Sequence, residues 1–296
     1  MAALTRALVT RHALGRADAY DAALLDVAQD HLLYLLAEAG AFESGELIFK
    51  GGTSLRKCRL GNDGRFSTDL DFAAPSEDTV LDVTGMIDGS RIGGFTYRLD
   101  STRGDGRHWD MTVSHEDLGS PRIVASVEFA RRPLALAPDV LPFVSLPIHR
   151  SYGFELPSLP VVAEQEACAE KLARYRRIAL GRDLYDLVQF ANLGLDEALI
   201  RRLWVLKVWG DVVDDGRGNR PVDPNDVLQV RRERDFRPDS IGVLTRPVDL
   251  AGWEQRVRSR YQFLSDLDAD EQRWAACDPR HRAEIEAALR ATGRHN

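Results

Sequence analysis

FKGGTSLRKCRLGNDGRFSTDLDF, running from Phe49 to Phe72, is the stretch on which the reading of the whole chain turns. It opens with Gly51-Gly52 and two hydroxyls, Thr53 and Ser54. A glycine turn that opens a helix offers backbone N–H groups and a positive dipole end to phosphate oxygens. Fifteen residues separate Thr53 from Asp69, and Asp71 follows, the pair alternating with Leu70 and Phe72. Residues two apart in a strand share a face, so both carboxylates project one way, roughly 6–7 Å apart. Leu70 and Phe72 then point into a core. This is the ligand geometry for one or two hard divalent cations, which take oxygen ligands and favour phosphate-rich partners. A lone Asp-x-Asp is more often a solvated strand end. The glycine–hydroxyl turn upstream reverses that preference, because paired carboxylates beside a core repel unless a cation offsets them. The two features in this order predict phosphoryl transfer from a nucleotide.

At 296 residues the chain has room for one large domain or two ordinary ones. Its 44% hydrophobic and 29% charged residues are those of a globular protein. A net charge of −7 excludes a general basic footprint, so any nucleic-acid contact needs a local patch. The three cysteines, Cys58, Cys168 and Cys277, match no metal spacing, which favours a reducing cytoplasm. No apolar run is long enough to span a membrane, and the N-terminus lacks a basic-then-apolar signal pattern.

Working outward, residues 18–39 carry an apolar helical stripe (Leu24, Leu25, Ala28, Leu32, Leu35, Leu36) that Gly40 ends. Residues 47–49 form a short strand, 53–60 a helix, 61–64 a loop and 65–72 the aspartate strand. A helix follows to about residue 87, then strands at 95–100, 109–114 and 122–131, the last alternating cleanly. Two short edge strands are expected among the prolines, at 143–148 and 152–156. From residue 162 the pattern is helical, with helices at 162–180, 182–192, 196–209, 223–234, 248–267 and 279–291. The prediction is an α+β fold: residues 1–160 hold a mixed sheet, and residues 161–296 form a helical domain.

Three further sets of residues carry chemistry. Glu128 stands on the polar face of the 122–131 strand, either as a third metal carboxylate or as a solvent-facing residue. Lys171, in a helix with Cys168, Leu172 and Ile178, is a site residue or a snorkelling side chain. Asp183 follows Gly181, where a helix cap is the stronger reading, and Asp186 either shares that role or points to the site. Between Lys171 and Lys207 eight basic residues face four acidic ones, which suits a groove for a phosphate backbone or solvated helix faces.

Taken together, Lys50-Gly51-Gly52-Thr53-Ser54-Leu55, then Arg65-Phe66-Ser67-Thr68-Asp69-Leu70-Asp71, then Lys171 with Arg182-Asp183-Leu184-Tyr185-Asp186-Leu187, resemble the AbiEii-type nucleotidyltransferase toxins, with the MenT-like subgroup nearest. The resemblance covers roughly residues 45–190. It implies a polymerase β-like nucleotidyltransferase fold, Mg2+ or Mn2+, and a nucleoside triphosphate donor. It implies transfer of nucleotides to tRNA 3′ ends, blocking aminoacylation, and a cognate antitoxin. Carried over by position, Lys50, Gly51, Gly52, Thr53, Ser54 and Ser67 would hold the nucleotide. Asp69, Asp71 and, less tightly matched, Glu128 would bind metal. Lys171 would contact phosphates and Asp186 would be the later essential acid. The spacing from Gly-Thr to Asp-x-Asp exceeds the general polymerase β pattern, and an insertion at Gly61–Gly64 accounts for it. A small-molecule or protein acceptor on the same fold is the alternative, and a catalytically silent binding protein is the reading from another class.

Overall fold

A computed structural model describes residues 4–103, 106–119, 122–218, 221–236 and 241–293. The chain divides into two compact units. One comprises Met1–Pro133, Pro138–Val162 and Val243–Arg246; the other comprises Leu134–Ala137, Ala163–Gly242 and Pro247–Asn296.

The first unit starts with α1 (Arg6–His12) and α2 (Tyr20–Glu38). At the end of α2 Gly40 adopts φ +79°, and Ala41 N–H returns to Leu36 O at 2.9 Å, closing the helix as its glycine predicts. Then come β1 (Ile48–Lys50), α3 (Gly51–Leu55), a wide π-type turn at Arg56–Leu60 and a 3-10 turn at Gly61–Asp63. β2 (Asp69–Ala73) is shorter than the expected 65–72 strand. Phe66 N–H bonds Val243 O at 3.0 Å, so the chain before Asp69 is held by the returning 243–246 segment instead of a ladder. α4 (Glu77–Ile87), capped by Ser76, leads to β3 (Arg91–Ile92), β4 (Phe95–Arg103), β5 (His108–His115) and β6 (Ile123–Ala130).

The strands expected at 143–148 and 152–156 do not form. Residues 147–151 make a 3-10 turn, and the outer strands are β7 (Asp139–Leu141) and β8 (Leu159–Val161). Apolar side chains misled the reading: Phe143, Ile148 and Tyr152 are buried, but from irregular backbone. The mixed sheet runs β3-β4-β5-β6-β2-β1-β8-β7, with β2 parallel to β6, β1 parallel to β8, and the other pairs antiparallel. β8 lies between two strands despite Pro160, because its ladder is only three residues long. Leu70 and Phe72 are fully buried, and Phe72 meets Phe49 at 5.6 Å and Phe129 at 5.8 Å. The opposite face of β2 is left to Asp69 and Asp71.

The second unit is helical: α5 (Glu164–Arg177), α6 (Gly181–Phe190), α7 (Glu197–Val213), α8 (Asn225–Leu228), α9 (Leu250–Arg260), α10 (Ala269–Ala275) and α11 (Arg282–Thr292). Its core is built on Leu172, Leu184, Leu203, Trp204 and Tyr261. The expected 223–234 helix stops at Leu228. Arg231 crosses Tyr175 at 5.1 Å and donates to Asp226 O at 2.6 Å, contacts that hold the chain out of a helix. α10, opened by the Asp268–Glu271 capping box, escaped the sequence reading because it is only seven residues long.

Candidate active site

Gly51 turns the backbone from β1 into α3 at φ +79°, a conformation open to glycine. Space makes the same demand, since a Cβ there would lie 1.9 Å from Asp71 Oδ2. The Asp71 carboxylate therefore leans over the first residue of the turn. At Gly52 a Cβ would come within 2.3 Å of Arg65 Nη2 and 3.5 Å of Ser67 Oγ. Each glycine is small so that a charged group can approach the backbone.

Thr53 is fully buried and its hydroxyl donates to Asp69 O at 2.5 Å. Ser54 is buried too and donates to Gly51 O at 3.0 Å. Both were expected to touch the triphosphate; their hydroxyls here fasten the turn to β2 and to itself. Ser67 is buried, and Gln29 Nε2 donates to its carbonyl at 3.1 Å.

The ladders set Lys50 opposite Asp71, Asp71 beside Glu128, and Asp69 beside Ser126. Ser126 Oγ and Thr68 Oγ1 each donate to Asp69 Oδ1 at 2.9 Å. Glu128 has the register of a third carboxylate, but its Oε1 meets His108 Nδ1 at 3.1 Å on β5, and its side chain is half-exposed. Among the described residues no three His, Cys, Asp or Glu side chains gather closely enough to hold a metal. Asp69 and Asp71 nonetheless fit a hard divalent cation, as two anionic oxygen donors on one strand face beside a turn cleared of side chains.

In the second unit Lys171 Nζ lies 2.7 Å from Asp186 Oδ2 and 3.2 Å from Asp183 Oδ1, with all three side chains buried. Asp183 was expected to cap α6. It does not: Leu180 is the N-cap residue, without a side-chain bond, and Asp183 is closed into ion pairs with Lys171 and, at 3.2 Å, Arg174. Lys171 is no snorkelling residue. The basic excess between Lys171 and Lys207 also changes meaning. Arg176 pairs with Asp226, Arg177 with Asp211, Arg201 with Glu271, Arg202 with Asp268, and Lys207 with Glu166 and Glu170. Those acids lie outside the 171–207 window, so counting along the sequence overstated the unpaired charge.

Sequence reasoning missed a buried ion network behind the glycine turn. Arg56 Nε and Nη2 donate to Asp26 at 3.0 and 3.2 Å, and Lys57 Nζ donates to Asp26 and, at 2.5 Å, to Asp30. Tyr152 OH donates to Asp30 Oδ2 at 2.6 Å, and His12 Nε2 lies 2.8 Å from Asp26 Oδ2. Burial alone would raise the Asp26 carboxyl. Arg56, then Lys57 and His12, outweigh it and hold the group well below the ordinary range. Burial likewise raises Asp30, but Lys57 and His149 together outweigh it and lower the group, and Lys57 itself is raised because its two carboxylates outweigh its own desolvation. The Arg-Lys pair directly after a glycine–hydroxyl turn, and two acids four apart in α2, were the available signals.

A family model described as nucleotidyl transferase AbiEii toxin, type IV TA system, matches residues 34–287, extending into the helical half beyond the stretch whose motifs carried the resemblance. Among solved structures, MenT4, a nucleotidyltransferase toxin (Rv2826c) from Mycobacterium tuberculosis H37Rv, is 71% identical over 98% of this chain and 99% of that chain, with a TM-score of 0.95. JHP933 from Helicobacter pylori is 17% identical over 87% of this chain and 97% of that chain, with a TM-score of 0.46. No curated protein matches this sequence. A profile that spans well over half the residues shows that the chain belongs to the AbiEii nucleotidyl transferase toxins of type IV toxin–antitoxin systems.

Proposed function

We propose that this protein transfers a nucleoside monophosphate from a nucleoside triphosphate to the 3′ end of tRNA, blocking aminoacylation, and that a cognate antitoxin restrains it. The observation that carries the donor half is the approach of Asp71 over Gly51, with Asp69 on the same strand face. The tRNA acceptor, the aminoacylation block and the antitoxin follow from the family resemblance.

In the reaction the 3′-hydroxyl oxygen attacks the α-phosphorus in line. A new O–P bond forms, the bond to the β-phosphate oxygen breaks, and pyrophosphate leaves with the electron pair. A divalent cation held by Asp69 and Asp71 would acidify the attacking hydroxyl and offset charge on the attacking and leaving oxygens. Lys50 and the Gly51–Ser54 turn hold the phosphates, chiefly through backbone, since both hydroxyls are engaged. Glu128, its carboxylate steadied by His108, takes the hydroxyl proton, with Asp186 as the other candidate base. Lys171 is assigned to the phosphates. Incubating the protein with total tRNA, Mg2+ and each labelled nucleotide tests the proposal.

One observation favours a second reading, a small-molecule or protein acceptor: the bases that suggested an RNA groove are engaged with acids. Replacing tRNA by aminoglycosides or by total protein in the same assay separates the two.

A further inference from the structure

We infer that Arg65, the first residue of the Arg65–Asp71 motif and one given no role above, binds the phosphates of the nucleoside triphosphate through its guanidinium over Gly52; the inference rests on the nucleotidyl-transfer reading. Arg65 is only 6% exposed, and its side chain reaches the glycine turn so closely that a Cβ at Gly52 would displace its guanidinium. Ser67 Oγ borders the same point. A guanidinium and the Asp71 carboxylate thus stand over consecutive glycines of one turn, the carboxylate suited to a cation and the guanidinium to an anion. The planar fork of arginine matches two phosphate oxygens at once, which a lysine cannot do.

The backbone on either side of Arg65 is tied down. Arg56 Nη1 donates to Gly61 O at 3.2 Å and to Gly64 O at 2.6 Å, and Gly64 N–H bonds Gly61 O at 3.0 Å. Phe66 N–H bonds Val243 O, and its ring lies 3.9 Å from the Arg56 guanidinium carbon. Thr245 Oγ1 donates to Asn62 O at 2.7 Å. The loop longer than the general polymerase β pattern is therefore a clasp, closed by Arg56, that delivers the Arg65 side chain to the turn.

The test is calorimetric titration of the full-length protein with each of the four nucleoside triphosphates in Mg2+, and separately with inorganic tripolyphosphate. Wild type, Arg65→Gln and Arg65→Lys are compared, with thermal unfolding recorded for each. Arg65→Gln is expected to weaken both the nucleotide that wild type binds and tripolyphosphate about 10- to 100-fold, with Arg65→Lys recovering part of the loss. Wild-type affinity in Arg65→Gln, or a loss confined to the nucleotide with tripolyphosphate unchanged, overturns the phosphate role. If Arg65→Gln does not fold, Arg65→Lys decides: a several-fold loss for tripolyphosphate supports the inference and unchanged affinity overturns it. Failure of wild type to bind any of the four nucleotides would instead remove the nucleotidyl-transfer reading, and this inference with it.

Discussion

Gly51 carries two constraints at one residue, a φ of +79° and a carboxylate 1.9 Å from where a side chain would begin. Gly51→Ala is therefore expected to lose about 1–3 kcal/mol of stability from backbone strain and to displace Asp71. Activity should fall further than the shift in unfolding midpoint explains, which a parallel urea titration and transfer assay would show. Asp71→Asn and Asp69→Ala remove anionic oxygen at the donor site. Each should lower transfer on the order of 10³-fold while leaving the fold intact, by circular dichroism and steady-state kinetics. The glycine turn and the shared strand face of the two aspartates were legible in the sequence, because a Gly-Gly pair and a period of two set them. The engagement of Thr53 and Ser54 was not, since a hydroxyl in a phosphate-loop pattern reads the same whether it faces a ligand or a carbonyl.

At the scale of elements, the π-type turn after α3 is pinned to α2 by charge. Removing one partner from a buried pair leaves an uncompensated ion, so Lys57→Met should cost about 3–5 kcal/mol in urea unfolding. The sign with pH follows from the same network. Asp26 and Asp30 are held below the ordinary carboxylate value of 3.8, so the unfolded chain takes up their protons first. Their stabilisation is present above that value and lost as pH falls below it; acid unfolding of Lys57→Met should accordingly begin at higher pH than wild type. Strand β2 and the long helices α2, α5, α6 and α7 could be read from period and length. The outer strands could not: near Pro142 and Pro147 buried apolar side chains hang from irregular backbone, and the ladders at 139–141 and 159–161 are three residues long.

Across the whole molecule, charge follows pairing more than local count. The basic helices of the second unit find their acids far along the chain, which is why a window from 171 to 207 misrepresented them. Among the described residues no helix is long and apolar enough to cross a membrane. Burial raises the thiols of Cys58 and Cys168 from 9.0 to about 12. In the unfolded chain these thiols ionise near 9, so the native state holds more protons between pH 9 and 12 and stability must fall as pH rises through that window. Thermal unfolding at pH 8 and pH 10.5 should show the drop, and native Cys58 and Cys168 should resist alkylation at pH 8. Beyond residue 190 the sequence offered no short motif for the family, and there the match comes through the family profile, which extends to residue 287.

Incubating the protein with tRNA, Mg2+ and each labelled nucleoside triphosphate in turn tests the central claim most directly. The account predicts label from at least one nucleotide on the tRNA 3′ end, abolished in Asp71→Asn and by prior periodate oxidation of that end. Absence of label with all four nucleotides, or undiminished labelling by Asp71→Asn, would contradict it.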